Sequence, residues 1–315
     1  MPFAVEPLSA DLPFGVTIRG LRRAQLDDPA VQERLRHHWI QDGLVVFRDG
    51  DNDQDFHVTL SKIFGPLSDH PVKEVMNKDN PELIDVIGNP DNAIIAEADG
   101  ELGAAYLGWH KDLVYVERIN HGGILRAIKP SSRGGITGFL DQIAAYDRLS
   151  DALKARIEGL AIVYRMGRWD EFPHGARAPI RLIKNSPQME SVYARLDRDF
   201  PPVAHPIVFV QPETGRKVLN VSPWFAHAIE GMENAEGDAI LRAAIEHLIR
   251  PDLAYFHEWQ PDDMVLWDNW RMTHSAKGVP TDDQRIMRRT TIAGDYALGR
   301  VEGAEEFPDE LRIEV

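Results

Sequence analysis

From about Gly108 onward, short apolar runs alternate with turn signals, and this rhythm points to a strand-rich sandwich or barrel. The runs cover 122–127, 204–210, 218–221, 264–267 and 285–294. Pro212-Glu213-Thr214-Gly215 between two of them reads as a hairpin turn. Two helices interrupt the pattern, over 142–158 and 233–248. Ahead of it, 26–43 reads as an amphipathic helix with Leu35, Trp39 and Ile40 on one face and Gly43 as its stop, followed by the buried strand Leu44-Val45-Val46-Phe47. Residues 165–200 are rich in charge and Pro and lack a clear period, which marks a long loop or lid. No internal repeat or low-complexity linker divides the chain, so 1–315 is expected to be one domain with that segment as lid or insertion.

Composition narrows the chemistry. With 35 Lys+Arg against 50 Asp+Glu the net charge is −15, which argues against broad contact with nucleic acid or anionic lipid. An anionic small molecule can still bind where a few arginines reverse the field. Cysteine is absent, so thiolate metal sites, disulfides and a cysteine nucleophile are excluded, and any metal must use His, Asp or Glu. Residues 1–20 lack a signal-peptide pattern, and no stretch approaches the roughly 18–20 apolar residues that span a bilayer, so a cytoplasmic protein without membrane contact is expected. The acidic run Asp51-Asn52-Asp53-Gln54-Asp55 invites a calcium reading, but Phe56 and Lys62 stand where a calcium loop needs Gly and Glu. It is better read as the cap of a helix from 53 to 64. The tail over 302–314 reads as a solvated end.

Trp109-His110-Lys111-Asp112 is the first chemical signal. In an extended segment residues two apart project from one face, so His110 and Asp112 can share one ion. Alone the motif is weak, since about one such triplet is expected by chance among 12 histidines. Further on, Trp267-Asp268-Asn269-Trp270-Arg271-Met272-Thr273-His274 sets a histidine beside a run that should be buried. Past a turn at Pro280-Thr281-Asp282-Asp283 comes Arg285-Ile286-Met287-Arg288-Arg289-Thr290-Thr291. Strand parity puts Arg285, Met287, Arg289 and Thr291 on one face and Ile286, Arg288, Thr290 and Ile292 on the other. Two arginines facing a closed core are costly unless anions pair with them; an outward-facing pair is the alternative. Two histidines and a carboxylate make the facial triad of non-haem Fe(II) oxygenases, which leaves three metal positions open. An arginine at some distance can take the far carboxylate of a 2-oxo acid as a bidentate pair.

At these residues the chain resembles the TauD/TfdA family of taurine, 2,4-dichlorophenoxyacetate and dichlorprop dioxygenases and alkylsulfatase relatives. The similarity includes Gly15-Val16-Thr17-Ile18-Arg19-Gly20-Leu21, Gly43-Leu44-Val45-Val46-Phe47-Arg48 and Phe64-Gly65-Pro66-Leu67. It continues through Trp109–Asp112, Gly134-Gly135-Ile136-Thr137 with Ala144-Ala145-Tyr146, His205-Pro206 with Pro212–Arg216, the block from Trp267 to His274, and 285–295. The resemblance implies a double-stranded β-helix (a cupin-like jelly roll), mainly β with flanking helices. It implies His110, Asp112 and His274 as ligands of Fe(II), and Thr137 and Arg285, with Trp259, around the co-substrate 2-oxoglutarate. Arg289 matches the arginine that takes the substrate's anionic group, while His70, Tyr106 and Phe225 match substrate-side positions. The activity implied is a dioxygenase that uses O₂ to hydroxylate a small organic carboxylate, sulfonate or sulfate (an aryloxyalkanoate among the candidates), releasing succinate and CO₂. A homo-oligomer is implied as well.

Two departures argue against taurine itself: Lys73 replaces a tyrosine and Tyr106 an asparagine. Lys111 replaces a small hydroxyl residue, and by strand parity it points harmlessly away from iron. The remaining histidines, His37, His38, His57, His121, His174, His205, His227, His247 and His257, have no ligand-spaced partner and are assigned structural roles. Two alternatives stay open: a 2-oxoglutarate-dependent hydroxylase of an amino acid, and a non-redox metal-binding cupin-like isomerase or sensor.

Overall fold

The computed structural model describes residues 3–98, 100–168, 180–294 and 299–303. A seven-stranded sheet runs in the order Ala4–Pro7, Val16–Arg19, Leu44–Arg48, Met264–Asp268, Gly122–Lys129, Arg285–Arg289, Ile84–Gly88. A four-stranded sheet, Tyr255–His257, Thr137–Asp141, Met272–Ala276, Leu107–His110, lies against it. Every pairing in the two is antiparallel except Val16–Arg19 with Leu44–Arg48. The two facing sheets form the jelly roll.

Period-two alternation explains why the run Leu44 to Phe47 is buried throughout. Leu44 and Val46 pack inward with Val265, Trp267, Phe139 and Met272 between the sheets. Val45 and Phe47 point outward, where Leu35, Trp39, Phe56 and Leu60 of two helices cover them. The first of these helices, Pro29–Asp42, is capped by Asp28 through the Ala30 amide and stopped by Gly43 at φ 74°. The second, Gln54–Ile63, is capped by Asp53 through the Phe56 amide, so the acidic run is a helix start. A third layer packs Ala235–Leu248 and Gln142–Asp147 against a smaller sheet around Ala161–Tyr164. No helix among the described residues is long and apolar enough to cross a membrane.

Three expectations need correction. The helix over 142–158 is two, Gln142–Asp147 and Asp151–Ile157, because Ser150 restarts the chain by accepting the Leu153 amide. The strand over 204–210 is also two, Val203–Pro206 and Val208–Val210, each in a different sheet. Within 165–200 the described part is not loop alone, since it contains the strand Arg181–Lys184 and the helices Pro187–Tyr193 and Leu196–Asp199. Residues 169–179, with His174, and most of the acidic tail lie outside the described residues.

Candidate metal and co-substrate site

Antiparallel register brings the distant histidines together. His274 pairs with His110 across the Met272–Ala276 and Leu107–His110 strands, and their ring centres lie 4.1 Å apart. The Thr273 hydroxyl donates to the His110 carbonyl at 3.0 Å and ties the strands at that step. Two residues on, Asp112 turns its carboxylate toward both rings, with Oδ1 3.7 Å from His110 Nε2 and 3.8 Å from His274 Nε2. Leu113 then takes a left-handed φ of 54°, which turns the chain away directly after the carboxylate.

This donor set fits a divalent ion. One ligand atom from each of His110, Asp112 and His274 falls within 4.8 Å of the others. The 3.7–3.8 Å spacings are too long for hydrogen bonds and short enough for bonds to a common cation. His110 Nδ1 donates to the Gly108 carbonyl at 2.7 Å, which fixes the tautomer and leaves the Nε2 lone pair free. Burial, reinforced by His110, pushes His274 well below the ordinary imidazole range, so it is neutral, as a ligand must be. Burial alone would raise the Asp112 carboxyl, but Arg289 and the two imidazoles outweigh it and hold the group well below the usual carboxylate range.

Asn269 brackets the same residue. Its Oδ1 accepts the Asp112 amide at 2.9 Å and its Nδ2 donates to the Asp112 carbonyl at 3.0 Å, so the side chain imitates a paired strand. Asn269 stands in the quoted Trp267-Asp268-Asn269 block, yet spacing alone gave no sign of this role. Behind His274, the turn that opens its strand is fixed by a buried bidentate pair, Arg271 to Asp141 at 2.8–2.9 Å, and by Arg271 donating to the Gln41 carbonyl.

Arg285 and Arg289 both face inward on Arg285–Arg289, with Met287 between them and Ile286 and Arg288 on the more open face, as strand parity predicts. Arg289 Nη1 donates to Asp112 Oδ2 at 2.6 Å, while its buried Nε has no partner among the described residues. Arg285 differs. It is 2% exposed, donates Nη1 to the Gly135 carbonyl at 2.7 Å, and forms no ion pair among the described residues. Burial pushes its guanidinium down to about 10. Gly134 and Gly135, at φ 66° and 61°, let that carbonyl turn toward it; a Cβ on Gly135 would meet Arg285 Cδ at 3.4 Å. Thr137 begins the next strand, and its hydroxyl oxygen accepts from Trp259 Nε1 at 2.9 Å, leaving the hydroxyl proton for another acceptor.

The remaining sequence-predicted residues are Phe225, His70 and Tyr106. Phe225 sets its ring edge-on 6.2 Å from His110 and 5.0 Å from Tyr115. His70 is half-buried; burial first, then Arg289, pushes it down to about 4, so it stands neutral beside that guanidinium. Tyr106 lies one step out, its ring 6.1 Å from Trp224. Tyr115 was not foreseen. It is buried in an apolar cluster with Val72, Leu113, Val192 and Phe200, and burial raises its phenol well above the ordinary tyrosine range.

The family model described as taurine catabolism dioxygenase TauD, TfdA family, matches residues 4–291. The chain belongs to the TauD/TfdA family. An (S)-phenoxypropionate/alpha-ketoglutarate-dioxygenase from Sphingobium herbicidovorans is 32% identical over 300 residues, covering 94% of this chain and 96% of that protein. A taurine dioxygenase structure from Burkholderia xenovorans superposes with a TM-score of 0.72 at 26% identity, covering 96% and 93% of the two chains. The structure of AAD-2 in complex with Mn(II) and N-oxalylglycine superposes at 0.70 with 25% identity, covering 95% and 100%. This TauD/TfdA chain is a 2-oxoglutarate-dependent dioxygenase that uses Fe(II) and O₂. The non-redox isomerase or sensor alternative falls with that assignment.

Proposed function

We propose that this dioxygenase holds Fe(II) through His110, Asp112 and His274, binds the distal carboxylate of 2-oxoglutarate on Arg285 and Thr137, and oxidises a small anionic substrate seated on Arg289. The observation that carries the reading is the buried Arg285 guanidinium, without an anionic side-chain partner among the described residues, on the same strand face as Arg289. A buried cation of this kind is costly unless an anion neutralises it. Bidentate pairing with a carboxylate does so, and the free Thr137 proton adds a donor. Trp259 fixes the Thr137 rotamer and walls the pocket.

The charges name the substrate class. Asp112, a divalent ion, dianionic 2-oxoglutarate and the two arginines together leave one positive charge, which a monoanionic substrate cancels. Phe225 and Tyr115, with Leu113 and Val72 behind them, give its body an apolar wall. The best-fitting substrate therefore has a carboxylate, sulfonate or sulfate head and an aryl or alkyl body. The phenoxypropionate and taurine named for the relatives carry a carboxylate and a sulfonate. His70, neutral beside Arg289, adds a hydrogen bond to the head, and Tyr106 borders the far end.

When bound, Fe(II) supplies the redox chemistry, in which O₂ and 2-oxoglutarate give succinate, CO₂ and a hydroxylated substrate. The chain's share is geometry: Arg289 aims the substrate's carbon, and Phe225 and Tyr115 keep water from the reacting side. We assign the chain as one catalytic domain, with the 165–200 segment as its lid or insertion. Cytoplasmic location and a homo-oligomeric state complete the proposal, the latter checked by solution mass. A screen of succinate release against aryloxyalkanoates, sulfonates, sulfate esters and amino acids tests the substrate class. Preferred turnover of an amino acid would contradict it.

A further inference from the structure

Between two of the residues read as iron ligands stands Lys111, and its side chain runs away from the metal into the protein. It is fully buried. Its Nζ donates to Asn220 Oδ1 at 2.6 Å and to the Trp270 carbonyl at 3.0 Å, with the Phe209 ring centre 5.6 Å away. Its own amide donates to Ser222 Oγ at 2.9 Å. Among the described residues no carboxylate forms an ion pair with it.

A hydrocarbon side chain of this length would fill the same space without the penalty of a buried charge. What the amino group adds is direction, because its hydrogen bonds fix distance and angle more strongly than packing does. Its two acceptors lie on different pieces of the site. Trp270 is in the turn that leads to His274, four residues on. Asn220 and Ser222 belong to the segment that runs into Pro223–Phe225, whose last ring faces His110. One side chain thus links the His110–Asp112 segment, the His274 hairpin and the substrate wall.

We propose that Lys111 is a positioning residue that sets the spacing of the three metal ligands and thereby the affinity for the divalent ion. The proposal rests on the assignment of His110, Asp112 and His274 as those ligands. Partners behind a ligand set typically contribute ten- to hundredfold to metal affinity. The test is Mn(II) titration followed by the signal of the free ion, without co-substrate, on the full chain and on Lys111→Met, Asn220→Ala and the double variant. Melting of each metal-free protein is recorded alongside.

The expected result is a Mn(II) dissociation constant raised roughly ten- to hundredfold in each single variant, with the double variant no worse than the weaker single one, since both remove the same link. Should Lys111→Met fail to fold, Asn220→Ala carries the test, because it removes the far acceptor and leaves the ligand segment intact. A folded variant that melts earlier but binds Mn(II) as the natural protein does overturns the proposal. His110→Ala is the control. If it keeps full Mn(II) affinity, the ligand assignment itself fails, whereas loss there with no loss in either single variant sinks the Lys111 role alone.

Discussion

Replacing Arg285 by methionine should move two measurements in opposite directions. The guanidinium is 2% exposed, and burial lowers it from 12.5 to about 10. Near neutral pH, well below both values, the folded protein therefore carries a penalty of ~3 kcal/mol for keeping this group charged. Methionine occupies similar space without the charge, so the metal-free, co-substrate-free protein should gain about 1–3 kcal/mol, less whatever the lost bond to the Gly135 carbonyl was contributing. For 315 residues the unfolding entropy is ~0.7 kcal/mol/K, so melting should rise by about 1–4 °C. Co-substrate binding should fall at the same time. Removing one partner of a buried charge pair costs about 2–5 kcal/mol, or roughly 30- to several-thousandfold in affinity. Melting curves of the metal-free protein and calorimetric titration of 2-oxoglutarate into the Mn(II)-loaded protein measure the two effects. A variant that melts earlier and binds 2-oxoglutarate normally would show that Arg285 is a structural cation, and the reasoning would fail.

Other expectations are smaller in scope. His110→Ala or Asp112→Ala should each abolish iron-dependent succinate release and weaken Mn(II) binding by at least roughly tenfold; unchanged binding in either would remove it from the ligand set. Arg289→Ala should raise the substrate KM by roughly 30-fold or more while the 2-oxoglutarate KM shifts far less, and equal losses for both would reassign the two arginines. Burial pushes the Asp268 carboxyl up to about 7, so the folded state holds that proton more tightly than the unfolded chain does. Stability is then lost as pH rises from about 4 to about 7. Between about pH 6 and about pH 8 the loss is ~1 kcal/mol, and Asp268→Asn should remove it. Parallel urea curves in which both proteins lose the same amount would refute that assignment.

The sequence carried the local elements well where side chains alone decide them. Asp53 capping a helix, Gly43 ending one, and the parity that turns Arg285 and Arg289 inward are all contacts within a few residues. Long-range pairing was less legible. The strand Ile84–Gly88, which closes the larger sheet beside Arg285–Arg289, has mixed burial and gave no run to read. The break at Ile207 was hidden because both halves of 204–210 are apolar and only tertiary context sends them to different sheets. Motif spacing placed His110 and Asp112 on one face, but that His274 lies directly opposite is a matter of register, which no spacing specifies. Asn269 and Lys111 were invisible for the same reason, since their partners lie 157 and 109 residues away. Lys111 does point away from the His110–Asp112–His274 cluster as parity requires, yet into a buried polar network, where a surface position would have been the simpler guess.

The central claim is that one ion, three ligands and one distant guanidinium form a single co-substrate site. Anaerobic addition of 2-oxoglutarate to the Fe(II)-loaded protein, followed by visible absorption, tests it most directly. A metal-to-co-substrate charge-transfer band should grow in and saturate at one equivalent, vanish in His274→Ala, and need far more 2-oxoglutarate in Arg285→Met. No band despite bound iron, or a band that His274→Ala leaves intact, would contradict the account.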